Sequence, residues 1–232
     1  VAPQLRRLAL PVERRLSRAF AEFDCLGPDP EPDPVAENVN DFLVSGRYEP
    51  GLHHEISTTY LLVDPEQMPP LLGYATLTFD SVRLTNSEKR TMESLTGIAD
   101  FGAVRIQMIG VDRRHQGKGC GITLLEAITG LVRKLSRNIA VRFLLADANV
   151  RKVSWYEAAG FVPNKAQRYK ERPDPTRSIS MRLDLLDGGN DCADYQCTPF
   201  IRCANATASV EGALSGASSV LPLAAWESGK SL

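Results

Sequence analysis

Residues 116–121 read Gln-Gly-Lys-Gly-Cys-Gly, with Arg113 and Arg114 just upstream. Three glycines at alternate positions leave a bare backbone, and glycine adopts positive φ without steric cost. The stretch follows an apolar run, VRIQMIGV at 104–111, and precedes an amphipathic one. Strand, glycine turn and helix in that order place unsatisfied amides at a helix N-terminus, where the dipole favours an anion. That is the chemistry of a phosphate cradle, with Arg113, Arg114 and Lys118 adding positive charge. Two common phosphate motifs are excluded. G-x-x-x-x-G-K-[ST] is absent, and the G-x-G-x-x-G fingerprint fails because its sixth position is Ile122 counted from Gly117 and Leu124 counted from Gly119. The same glycines also suit a turn that only tightens strand–helix packing, and the pattern by itself leaves both readings open.

The elements that must position this turn follow from periodicity. Residues 5–22 read as an amphipathic helix. GPDPEPDPV at 27–35 alternates proline with acid and fits neither a helix nor a central strand. VAENVNDFLVSG (35–46) reads as a short helix stopped at Gly46. TTYLLVD (58–64) and LLGYATLTFDSV (71–82) read as the strands of a hairpin. Residues 84–101 are polar and irregular, with a composition that allows helical turns in SEKRTMESL (87–95). In 104–111, Val104, Ile106 and Met108 share one face, and then Ile109 and Val111 take up the other register, which a β-bulge produces. From Gly121 a helix begins, with Leu124, Leu125, Ile128, Leu131, Val132 and Leu135 as its apolar stripe and Arg133, Lys134 and Arg137 near its C-terminal end. VRFLLADA (141–148) reads as a buried strand, RKVSWYEAAG (151–160) as a short helix closed by Gly160, and ISMRLDL (179–185) as a final strand. After residue 187 no period is sustained, and a disordered tail is expected.

Composition bounds the class. The chain has 232 residues, 43% of them hydrophobic, which is enough for one domain to bury a core without a disulfide or metal. Five cysteines, odd in number and scattered, with no secretory pattern, point to reduced thiols and a cytoplasmic protein. No run approaches the ~20 apolar residues of a membrane span. Net charge is −1, yet residues 101–182 hold sixteen Lys+Arg against six Asp+Glu, a bias that suits either a solvated face or a polyanionic ligand. Cys192, Cys197 and Cys203 lack a fourth ligand, so no metal site is expected.

At Gln116–Gly121 the sequence resembles the GNAT superfamily of N-acetyltransferases, whose motif is Q/R-x-x-G-x-G/A. A second signature of that family, N-x(6)-[FLW]-Y-E-x-x-G-F, is matched from Asn149 through Tyr156 and Gly160 to Phe161. The resemblance covers roughly residues 20–185. It implies a mixed, splayed central sheet flanked by helices in a single α/β domain at 20–186, after an N-terminal segment 1–19 and before a low-complexity tail at 187–232.

The resemblance also implies roles. Acetyl-CoA would be the co-substrate, without a metal. Gln116, Gly117, Lys118, Gly119, Cys120 and Gly121 would hold its pyrophosphate through their amides. Arg114 would add charge, Ile109 and Val111 would pair with the pantetheine arm, and Asn149 would hydrogen-bond near the reactive end. Tyr156 would be the general acid, because a phenol of pKa about 10 is protonated at neutral pH and can supply a leaving thiolate. Some members carry a glutamate base on the bulged strand; here Val104 to Met108 hold no carboxylate, and Asp80, Asp112 and Asp147 are not specifically placed. A missing base suits a low-pKa amine such as an α-amine, or a water relay.

Phe23-Asp24-Cys25, Asp41-Phe42-Leu43, TTYLLVD and GYATLTFDSVRL further resemble a bacterial branch that includes toxins acetylating charged tRNA. The acceptor is then a small-molecule amine or an aminoacyl-tRNA. The resemblance admits a homodimer, and an antitoxin partner on the toxin reading. A non-catalytic CoA-binding regulatory module is the reading of a different class.

Overall fold

Two apolar runs form the expected hairpin. β2 (Ser57–Val63) and β3 (Leu71–Arg83) pair antiparallel through the turn between them. The computed structural model describes residues 2–27, 33–90, 97–165 and 178–186; the expected tail at 187–232 and its three cysteines lie outside the described residues. The sheet has seven strands. Outside the hairpin stand β1 (Gln4–Arg7), β4 (Asp100–Val111), β5 (Phe143–Asn149), β6 (Val162–Pro163) and β7 (Ser178–Asp184), in the order β1-β2-β3-β4-β5-β7-β6.

The expected helix over 5–22 is two elements. Gln4–Arg7 pairs with Tyr60–Val63 as the edge strand, and only α1 (Arg14–Ala21) is helical. Pro11 lacks an amide and cannot sit inside a helix, while the edge of β2 offers unpaired backbone groups to the residues before it. The sheet therefore takes a strand from before residue 20. The polar stretch 84–101 also holds structure. α4 (Asn86–Arg90) is closed by a capping box, in which Glu88 N donates to Thr85 Oγ1 at 3.3 Å and Thr85 N to Glu88 Oε2 at 2.9 Å. β4 starts at Asp100, four residues earlier than the apolar run suggests, because Val82 and Ser81 of β3 offer pairing to Phe101 and Gly102.

α5 (Cys120–Ser136) covers one face of the sheet. Leu124, Leu125, Ile128 and Val132 are at most 2% exposed and pack on Val104, Ile106, Leu144 and Ala146. Each such side chain contributes about 1.5–3 kcal/mol before chain entropy is counted. Leu135, expected in the same stripe, lies on the surface at 39% exposure because the helix outruns the sheet. The other face carries α1, α2 (Pro34–Val44) and α3 (Glu49–His53), packed on Leu61, Val63, Leu71 and Tyr74. Gly110 permits this close approach, since a Cβ there would meet Val39 at 2.9 Å. α6 (Val153–Ala158) follows β5.

The expected bulge is present. Leu77 opposes Ile106 and Thr76 opposes Met108, so Gln107 is the extra residue. β4 and β5 run parallel but pair only from Ala103–Ile106 against Phe143–Ala146. Beyond the bulge both strands continue unpaired with each other, and the sheet opens into a slot.

Candidate functional site

The glycine turn lies at the end of the slot. Asp112 closes β4 with a fully buried carboxylate that takes Arg114 Nε and Nη2 at 2.7 Å each and Arg114 N at 2.9 Å. Burial alone raises the Asp112 pKa, but the hydrogen bonds from Arg114 outweigh it and hold the carboxyl below its ordinary value. Arg113 pairs with Asp24 at 3.0 Å. The Gln116 side chain folds back, donating from Nε2 to Val111 O at 2.9 Å and to Cys25 O at 3.0 Å. These contacts pin the turn to β4 and to the segment after α1.

Gly117 and Gly119 then adopt φ of +71° and +82°, the left-handed region, and no atom lies within 4 Å of where a Cβ would stand on either. Gly119 caps α5. The amides of Gly117, Lys118, Gly119, Cys120, Gly121 and Ile122 find no acceptor among the described residues. Six free donors beside two open glycines, at the positive end of a 17-residue helix, suit a diphosphate. Cys120 is half-buried at the first turn of the helix, and Gly121 packs at 3.4 Å from the Trp155 ring if given a Cβ. Lys118 is exposed and donates to Arg114 O at 2.8 Å.

Ile109 and Val111 follow the bulge, half-buried, on the length of β4 that β5 does not pair. Tyr156 lies on α6 at 5% exposure, held edge-to-face by Trp155 at 4.8 Å and by Phe161 at 5.3 Å. Burial, and then the charge of Asp147, push its phenol above the ordinary range, so it stays protonated. Its hydroxyl makes no hydrogen bond among the described residues. Asn149 ends β5. Its Oδ1 accepts Arg151 N at 3.0 Å, and its Nδ2 donates to both oxygens of Asp33 at 2.9 and 3.0 Å. Asp33 caps α2, so this contact links β5 to the opposite helix layer across the slot.

Sequence reasoning missed Asp33, and it missed the company kept by Arg105. Arg105 binds Asp80 on β3 and Asp147 on β5. Strand registers bring these three together, and one-dimensional spacing does not show them.

A mixed sheet whose parallel central pair parts beyond a bulge, with a glycine turn leading into the long helix and helices on both faces, is the GNAT-like α/β fold. No family model and no curated protein matches the sequence. Solved structures of bacterial toxins share its fold. A tyrosine-to-phenylalanine mutant of KacT is 20% identical, with 79% of this chain and 96% of that chain covered and a TM-score of 0.60. AtaT complexed with acetyl-methionyl-tRNAfMet is 18% identical over 80% and 96%, TM-score 0.58. A tyrosine-to-phenylalanine mutant of the AtaT toxin, bound to the C-terminus of the antitoxin AtaR and acetyl-CoA, is 20% identical over 78% and 94%, TM-score 0.54. Among the described residues no helix is long and apolar enough to cross a membrane, and no group of three His, Cys, Asp or Glu is placed to hold a metal.

Proposed function

We propose that this chain is an N-acetyltransferase that moves the acetyl group of acetyl-CoA to the α-amine of an aminoacyl-tRNA. The observation that carries the reading is the run of six free amides from Gly117 to Ile122 beside two left-handed glycines with open space before them. Acetyl-CoA supplies an activated thioester. Gly117 to Ile122 hold its pyrophosphate, whereas Gln116, expected among these donors, gives its amide to Asp112 O at 3.1 Å and its side chain to Val111 and Cys25, and so braces the turn instead. Arg114 Nη1, left without a partner among the described residues by Asp112, serves a phosphate oxygen. The slot-facing edge of β4 at Ile109 and Val111, where Val111 O already accepts Gln116 Nε2, receives the pantetheine arm as a strand would, and Asn149, committed to Asp33 and Arg151 N, fixes the end of β5 beside the thioester.

Transfer forms the amide C–N bond and breaks the C–S bond. The neutral amine loses one proton as the C–N bond forms, the departing thiolate takes one from Tyr156, and the phenolate left behind takes up the amine's proton, so the step balances and the phenol is restored. A phenol kept protonated by its burial suits this task. The neighbours favour the tRNA acceptor over a small amine, since AtaT is solved with acetyl-methionyl-tRNAfMet. An antitoxin is the partner this reading implies, as AtaT is solved with AtaR.

The test is transfer of labelled acetyl to a pool of aminoacylated tRNAs by the purified chain and by Gly119→Glu. Product from the wild type and none from the variant, with acetyl-CoA binding lost in calorimetry, supports the reading. Acetyl-CoA binding without turnover on any tRNA or small amine returns the chain to a CoA-binding module. No binding by the wild type sinks the enzyme reading.

A further inference from the structure

Arg105 stands on the last stretch where β4 and β5 still pair, on the face away from α5 with Ala103 and Phe101. Its guanidinium donates from Nε to Asp80 on β3 and from Nη1 to Asp147 Oδ2 on β5 at 2.6 Å. One side chain thus straps three neighbouring strands just before the slot opens. Burial disfavours the charged guanidinium, but its two carboxylate partners outweigh that, so it is permanently charged.

Two carboxylates against one guanidinium leave a surplus negative charge. Arg105 is 20% exposed and Asp147 47%, so the surplus is presented on Asp147. Asp147 Oδ1 has no partner among the described residues. Two residues further along β5, on the same face, Asn149 reaches Asp33. The charge of Asp147 is also felt at the Tyr156 phenol. An anionic group with a free oxygen therefore sits beside the slot, held rigid and within electrostatic reach of the proposed acid.

We propose that Asp147 receives the acceptor: its carboxylate binds the α-ammonium group of the incoming aminoacyl ester, and Arg105 and Asp80 position it. This rests on the acetyltransferase reading above. An α-amine with a pKa of about 7.7–8.0 is mostly cationic at neutral pH, so a carboxylate holds it, yet it loses its proton readily enough to attack. A charged hydrogen bond of this kind discriminates strongly against a neutral isostere.

The experiment compares binding of an aminoacyl-tRNA with that of the same tRNA carrying the matching α-hydroxy acid, which lacks the charge. Wild type, Asp147→Asn and Asp147→Glu are measured, with acetyl transfer and acetyl-CoA affinity alongside. The wild type is expected to bind the amine form at least tenfold more tightly. Asp147→Asn is expected to bind both forms alike and to lose at least tenfold in kcat/KM for the acceptor, with acetyl-CoA affinity within twofold; Asp147→Glu is expected to keep the preference. An active wild type without the preference overturns the inference whatever the variants do. An Asp147→Asn protein that keeps both preference and kcat/KM overturns it too, and leaves the acetyltransferase reading standing. A wild type that acetylates no amine sinks that reading and the inference with it.

Discussion

Tyr156 has its ring packed between Trp155 and Phe161 and its hydroxyl uncommitted, so removing the oxygen costs little packing. Tyr156→Phe is expected to lower kcat by about 10²–10⁴ while leaving acetyl-CoA affinity within twofold. Steady-state kinetics beside calorimetry checks this, and an unchanged kcat removes Tyr156 as the acid. Asp112 supports stability instead. Its carboxyl pKa is held below the ordinary value in the folded chain, so its contribution is complete above the unfolded pKa of about 3.9 and is lost as pH falls through the folded value. Asp112→Asn is expected to cost on the order of 2 kcal/mol at pH 7. The gap between the two melting curves should narrow as pH falls below about 3.9; a gap independent of pH refutes the charge-based account. The glycine turn and Tyr156 were legible in the sequence because each belongs to one contiguous stretch. Arg105 with Asp80 and Asp147 was not, because those contacts span 25 and 42 residues and depend on register. Asn149 and Asp33 stand 116 apart.

Elements were read well where their period was strong and poorly where a partner decided them. The bulge at Gln107 shows in the sequence as a change of parity, since side chains alternate strictly along a strand. The strand Gln4–Arg7 shows no such mark; it exists because β2 has an edge to pair. α4 falls where the polar stretch allows helical turns, and its start is set by the Thr85 and Glu88 capping box rather than by any apolar period. The bulge is the feature that parts β4 from β5. Deleting Gln107 removes the extra residue and lets β4 run in one register against β3. The shortened chain is expected to fold with acetyl-CoA affinity reduced at least tenfold. Circular dichroism with calorimetry tests this, and unchanged affinity shows that the slot does not depend on the bulge.

The basic bias of the whole domain is smaller in the fold than in the sequence. Of the sixteen cations in 101–182, Arg105, Arg113, Arg114, Arg142 and Arg182 are engaged by carboxylates of the same chain. Residues such as Lys118, Lys134, Arg137, Lys152 and Lys165 remain at the surface. If about five cations meet tRNA phosphates, the plot of log affinity against log salt has a slope near −4. Filter binding between 50 and 300 mM salt measures it, and a flat plot rules out a phosphate-tracking surface.

The parting of β4 and β5 also has a consequence in time. Backbone amides facing a neighbouring strand exchange with solvent only when the structure opens, whereas those facing the slot have no such shield. In deuterated buffer the slot-facing amides of Ile109 and Val111 and those of the turn from Gly117 to Ile122 should label early, while Met108 and Gly110, paired with β3, and Ala103–Ile106 stay dark. A ligand that lies along the free edge takes the role of the absent strand, and its arrival should be recorded as a slowing of exchange confined to those two stretches.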